Sequence, residues 1–305
     1  MALTADLAEL AIGTPSSALV GVPQDIVLNS ILDWIAVGRA GSGEPVSRMI
    51  RHHVRDEGGV PEASVFGGAM APARAAALAN GATSHALDYD DTHFHHVGHL
   101  SVVVIPAALA MAEARHATGR ALLDSLVVGF EVACRVGGWL GRPHYDAGFH
   151  QTATAGCFGA TAAACRLLGL DTRQTCHALG LASTRAAGLR SQFGTMGKPL
   201  NAGFAASNAV ECAGLAARGI LSTPEGLEGP QGFGATHAGS GTTRQPDDTL
   251  LMRGNSYKFH ACCHGTHAAL EALETALRQV PARQIASVTL GTHPRWIPVC
   301  NIERP

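Results

Sequence analysis

The stretch "SHALDYDDTHFHHVGHLS", Ser84 to Ser101, concentrates three aspartates and five histidines in eighteen residues. Carboxylates and imidazoles at that density either bind a divalent metal or move protons. His93, His95, His96 and His99, beside Asp88, Asp90 and Asp91, have the donor types of a metal site. No HExxH or CxxC spacing accompanies them, and adjacent side chains such as His95 and His96 point apart, so a bound metal is not expected. Proton transfer asks for less. If the helix that starts near Ala71 runs on through Asp91, then His85, Asp88 and Thr92 fall at i, i+3 and i+7 on one face. Gly98 would then let the chain turn and bring His99 back toward that face. A solvated loop between two helices is the third reading, and residue types alone leave it open.

The second set of chemical residues is cationic. Of 22 basic residues only Lys198 and Lys258 are lysines. Arginine replaces lysine freely on a surface but not where a compact ammonium is needed, which singles both lysines out. "YDAGFHQTATAG" places His150 just before a helix, "SQFGTMGKPLNAGFAA" places Lys198 at the approach to another, and "NSYKFHACCHGTHAAL" places Lys258 and His260 ahead of a third. Helix N-termini disfavour positive charge and attract anions, so cations gathered there imply an anionic ligand among them. Cys262, Cys263, His264 and His267 imitate a zinc site, but adjacent cysteines fit ligand spacing poorly.

The elements that must position these residues are mostly helical. "DIVLNSILDWIAVGRAG" has helical spacing with Gly41 as a C-cap, and "APARAAALANGATSHAL" is an alanine-rich helix. "SVVVIPAALAMAEARHATG" reads as a helix ending at Gly119, followed by "ALLDSLVVGFEVACRVGG". "TATAGCFGATAAACRLLG" ends at Gly169, and Asp171 with Gln174 forms a capping box that opens "TRQTCHALGLAS". Small residues such as Gly156, Gly159 and Ala160 permit close approach and point to an inner layer. "EGPQGFGATHAGSGTTRQPDD" lacks the GxxxxGK[ST] spacing of a phosphate loop and reads as a plain loop. After it come a helix, "THAALEALETALRQ", and a strand-like alternation, "QIASVTLGTH".

Composition closes off other classes. The 305 residues carry a formal net charge of −2, which lacks the basic face a nucleic-acid binder needs. The longest apolar run, Val102 to Ala112, is too short to span a bilayer. "MALTADLAELAIGTPSS" has no basic n-region, and eight scattered cysteines read as buried free thiols, so a cytoplasmic protein is expected.

At these residues the chain resembles the MmgE/PrpD family, which includes 2-methylcitrate dehydratase, cis-aconitate decarboxylase and iminodisuccinate epimerase. The matching segments are "NGATSHALDYDDTH" with "GHLSVVVIPAALA", "LLDSLVVGFEVACRVG", "GFHQTATAGCFGATAAA", "GTMGKPLNAGFAASNAV", "EGPQGF" and "YKFHACCHGTHAAL". The resemblance implies a mainly α chain: a large all-helical domain over residues 1–265, then the start of a smaller α/β lid domain over 266–305. It also implies a homodimer with no metal or organic cofactor, and family members continue well beyond residue 305. Carried over by motif, the family's aspartate and threonine fall on Asp88 and Thr92, its histidines on His99 and His150, and its lysine on Lys198. Leu100 stands where a proline usually follows the loop histidine. "KFHACC" stands for the commoner KPYPCC, which leaves the role of Lys258 and its neighbours open.

The function this implies is a lyase acting on a small di- or tricarboxylate, a hydro-lyase like 2-methylcitrate dehydratase first, with epimerisation or decarboxylation as the alternatives. Bond-making next to a carboxylate needs a positioned base or acid and fixed positive charge. Lys198 and one histidine would hold substrate carboxylates, the other histidine would shuttle the proton, and Asp88 would orient an imidazole. Lys258 joins Thr92 as a substrate-binding candidate. A helical remnant without a working site is the reading from a different class, and a metal-dependent hydrolase is a third.

Overall fold

The computed structural model describes residues 3–239, 250–294 and 297–300. Alanine and glycine dominate the helical stretches, and small side chains decide the architecture because they let helix axes approach closely. The helices are α1 (Leu3–Gly13), α2 (Val22–Gly41), α3 (Pro45–Glu57), α4 (Ala73–Ser84), α5 (Ser101–Ala114), α6 (Gly119–Asp146), α7 (Gln151–Leu168), α8 (Thr172–Arg185) and α9 (Gly197–Ala217). A one-turn α10 (Phe233–Thr236) and α11 (His267–Leu277) follow. The chain is mainly α, as its periodicity predicts. Among the described residues no helix is long and apolar enough to cross a membrane.

Helices α4, α5, α7 and α9 form the centre, with α6 and α8 packed outside them. One close crossing joins α4 to α9: a Cβ on Gly81 would stand 2.9 Å from the Gly203 Cα, and one on Gly203 would stand 2.5 Å from the Leu78 carbonyl oxygen. Neither position has room for a side chain. The inner-layer expectation for α7 holds, since every residue from Gln151 to Cys165 is buried. Its end is read correctly too: Gly169 closes the helix in the left-handed conformation, φ 65°. Asp171 and Gln174 make the reciprocal capping box that opens α8.

Three boundaries differ from the sequence reading. α5 stops at Ala114, because Thr118 is already the N-cap of α6, its hydroxyl accepting from the Ala121 N–H at 3.2 Å. α4 stops at Ser84 and does not continue to Asp91. "QIASVTLGTH" forms no strand among the described residues; Val288 and Leu290 are exposed, and a lone alternating segment has no edge to pair with. Residues 240–249 of the Gly/Ser/Thr loop lie outside the described residues. Just before them Phe233 packs edge-on to Phe158, with ring centroids 5.2 Å apart.

Two short strands matter for the site. β1 (Thr92–His93) and β2 (Asn255–Ser256) pair antiparallel, Thr92 opposite Ser256. This ties the loop after α4 to the segment that carries Lys258.

Candidate active site

The break at Ser84 builds the site. Asp88 takes a left-handed backbone, φ 51°, which aspartate tolerates better than most residues. Asp91 turns inward, and its Oδ1 accepts the Leu100 and Ser101 N–H groups at 3.2 and 3.1 Å. These are orphan donors at the start of α5, so Asp91 caps that helix from a distance. Its Oδ2 accepts from the Asn255 amide at 2.7 Å. A continuous helix would have left these buried donors unpaired, which is why the expected i, i+3, i+7 row does not form. Gly98 serves a different purpose from the one expected. The turn residue is Val97, φ 56°, while a Cβ on Gly98 would strike the Thr152 N–H at 2.8 Å. Glycine there lets the loop touch the first turn of α7, where Thr152 Oγ1 accepts the His99 N–H at 3.1 Å.

Both lysines of the chain converge on one carboxylate. Lys198 Nζ, from the first turn of α9, lies 2.7 Å from Asp88 Oδ1, and Lys258 Nζ lies 3.2 Å from the same oxygen. Lys258 is buried and also donates to the Asp88 carbonyl. Burial alone would raise the Asp88 carboxyl, but the two ammonium groups outweigh it and hold the acid well below its usual range.

The histidines are organised by Asp90, which the sequence reading named only among possible metal donors. His85 Nδ1 lies 2.9 and 3.0 Å from the two Asp90 oxygens. His99 Nδ1 lies 2.9 Å from Asp90 Oδ2 and 2.7 Å from the Asp91 carbonyl oxygen. Burial would raise Asp90, yet the two imidazoles keep it well below the ordinary carboxylate value. The orienting role expected of Asp88 is therefore carried by Asp90. Asp88 sits 3.6 Å from His99 Nε2, beyond a firm hydrogen bond. His150, the N-cap residue of α7, is buried; its ring stacks on His85 at 5.8 Å and meets Phe193 edge-on at 5.0 Å. Burial pushes the His150 pKa well below the usual imidazole value, and that of His85 downward as well.

All six sequence-named site residues, Asp88, Thr92, His99, His150, Lys198 and Lys258, line one cavity of about 430 Å³. That size falls within the range of small-molecule sites. Among the other lining residues, Arg142 and Tyr145 were not singled out from the sequence, and His264 was named only as part of a zinc-like group. His264 Nδ1 lies 2.6 Å from Thr92 Oγ1. Arg142 and Tyr145 reach the cavity because α6 kinks at Gly141, φ 68°, just before Pro143. The sequence reading did not mark this kink. His260 does not line the cavity, and its ring packs edge-on to His267 at 5.0 Å.

Donor geometry speaks against a metal among these residues. His93 Nε2 and His96 Nδ1 lie 2.7 and 2.9 Å from the Leu251 and Ala133 carbonyl oxygens, so the histidine row does not converge as a ligand set. His85, Asp88, Asp90 and His99 do bring ligand atoms within 4.8 Å of one another. Both Nδ1 atoms there face acceptors, and Asp88 already holds two ammonium groups, so the cluster is built around its own cations. Cys262 Sγ lies 2.8 Å from Thr266 Oγ1, and His264 is engaged with Thr92.

Fold and site together define a mainly helical protein in which loops at helix starts gather cations, imidazoles and carboxylates around one cavity. Residues 5–245 match the model of the MmgE/PrpD N-terminal domain, and the chain belongs to the MmgE/PrpD family. It is 32% identical over 286 residues to a cis-aconitate decarboxylase-like protein of Aspergillus oryzae, covering 86% of this chain and 59% of that protein. It is 30% identical over 284 residues to the cis-aconitate decarboxylase of Aspergillus terreus (85% and 58%), and 31% over 215 residues to that of Homo sapiens (68% and 44%). The chain thus spans less than two thirds of the length of these relatives.

Proposed function

We propose that this chain carries the acid–base site of a lyase acting on a small tricarboxylate. The observation that carries the reading is the convergence of Lys198 and Lys258 on Asp88, beside His99, in a cavity of about 430 Å³. Two ammonium groups held in place by an internal carboxylate are pre-positioned to receive substrate carboxylates. Positive charge fixed in a water-poor site stabilises negative charge that develops on a carbon next to a carboxylate. An imidazole at hydrogen-bonding reach exchanges the proton at that carbon.

The names of the relatives favour decarboxylation of cis-aconitate. Loss of water from 2-methylcitrate, the reading with which the family resemblance began, uses the same grip and the same proton-exchanging group. The two are separated by assaying cis-aconitate for released carbon dioxide and 2-methylcitrate for the absorbance of a new double bond. Lys198→Arg serves as the control, because a planar guanidinium cannot replace a point-like ammonium here. Turnover of either acid that collapses in Lys198→Arg supports the reading; turnover unchanged in that variant, or no binding of any tricarboxylate, ends it.

A homodimer belongs to the same proposal. Leu28, Leu32 and Ile35 are exposed along one side of α2, at the i, i+4, i+7 spacing a partner helix would cover. Sedimentation at equilibrium reads the mass directly.

A further inference from the structure

We infer that two of the cavity imidazoles, His99 and His150, are locked as opposite tautomers, with Asn201 as the positioning residue that sets His150. This rests on the acid–base reading above and says which imidazole does what. The partners decide it, because several of them can only accept or only donate.

His99 Nδ1 lies 2.7 Å from a backbone carbonyl, that of Asp91, and 2.9 Å from the Asp90 carboxylate. Both partners are acceptors, so Nδ1 carries the proton and neutral His99 presents a bare Nε2. That nitrogen is on the side of Asp88, 3.6 Å away. His150 has the reverse arrangement. Its Nδ1 lies 3.1 Å from Asn201 Nδ2. An amide can be turned end for end, but Asn201 Nδ2 also lies 3.2 Å from the Leu189 carbonyl oxygen. A carbonyl accepts only from the amide nitrogen, so the NH₂ end is fixed toward both partners. His150 Nδ1 must accept from it, and Nε2 carries the hydrogen. Leu189 is held in turn by the Phe149–Leu189 bridge, and Gly188 accepts the His150 backbone N–H at 2.9 Å.

The division of labour follows. His99 Nε2 is the atom at which a proton is exchanged. In dehydration it takes one from carbon, the C–H pair becomes the double bond, and the hydroxyl on the neighbouring carbon leaves with its own bonding pair and is released as water with a proton. In decarboxylation the ring first takes a proton from water at Nε2 and delivers it to the carbon that keeps the electron pair of the broken bond to carbon dioxide. His150 Nε2–H is a fixed neutral donor toward a substrate oxygen on which negative charge accumulates. Burial first, and then its neighbours His85 and Lys198, favour its neutral form. A neutral imidazole that only donates gives up no proton and needs none back.

The test is nitrogen-15 magnetic resonance of the histidine rings in the 305-residue protein, with His99→Gln and His150→Gln to assign the signals. It needs no substrate, so it stands apart from the lyase reading. Expected are a pyrrole-like Nδ1 with a pyridine-like Nε2 for His99 and the inverse for His150. Asn201→Asp places an acceptor opposite His150 Nδ1 and should invert the His150 pattern alone. Turnover should fall on the order of a hundredfold, the size typical of losing one aimed donor. The same tautomer in both rings of the wild-type protein overturns the inference, and so does a His150 pattern unmoved in folded Asn201→Asp. Opposite tautomers in a protein that turns over no polycarboxylate would leave the inference standing and sink the lyase reading instead.

Discussion

Helices α7 and α11 are both rich in alanine, and they have opposite fates. α7 buries fifteen of its eighteen residues, whereas α11 buries only His267 and leaves Leu273 and Leu277 exposed. The difference is one of neighbours: α7 is wrapped by α5, α6, α8 and α9, while α11 touches little beyond the turn before it. A helix is stabilised mainly by what its apolar face packs against. This contrast supports the proposal that residues from 266 open a second unit, as the family resemblance implies. It also places the site at a junction. His150 and Lys198 stand on the packed body; Lys258 and His264 come from the segment that leads away from it.

The lysines break or sharpen that comparison most strongly. Lys198→Met should lower kcat/KM for the acid that is turned over by roughly 10²–10³-fold, the range for removing a fixed charge aimed at the transition state. Lys258→Met should cost less, about tenfold and mainly in KM. Equal losses in kcat would mean that body and rim act as one unit.

Next in size is the packed body itself. Gly203→Val forces two methyl groups into the α4–α9 crossing and should destabilise by about 3 kcal/mol, read as a lowered urea midpoint. A smaller, pH-dependent effect comes from His96. Burial holds its pKa down at about 3, against an ordinary 6.5. Between those values the unfolded chain binds a proton that the native state refuses. The stability this supplies is therefore present above 6.5 and is lost as pH falls toward 3. The wild-type protein's advantage over His96→Asn should shrink steadily on acidification through that window. The smallest effect is Leu273→Ser on α11, expected within about 0.5 kcal/mol because no described neighbour covers that face. A large loss there would show that α11 is packed after all.

How much of this was legible beforehand follows from the range of the forces involved. Gly169 and the Asp171–Gln174 box act within one turn, and reading them needs only local residues. Rare residue types, two lysines and a histidine cluster, marked the loops, and the family resemblance picked out Asp88, Thr92, His99, His150 and Lys198 within them. The end of α4 at Ser84 was not legible. It depends on what Asp90 and Asp91 meet: His99, Asn255 and the α5 N–H groups come from eight to more than a hundred and sixty positions away. The roles of Asn201 and of His264, which was read only as part of a zinc-like group, lay hidden for the same reason. An asparagine inside a helical stretch and one more histidine after two cysteines carry no local signal of their partners.

Asp88 has a consequence of its own. It sits between both ammonium groups, so it is a built-in rival to whatever anion arrives. A visitor with a single negative charge offers the lysines nothing that they lack. One with two or three can outbid the aspartate at one end while leaving it seated at the other. The lyase proposed here would then sort its visitors by valence before shape is consulted.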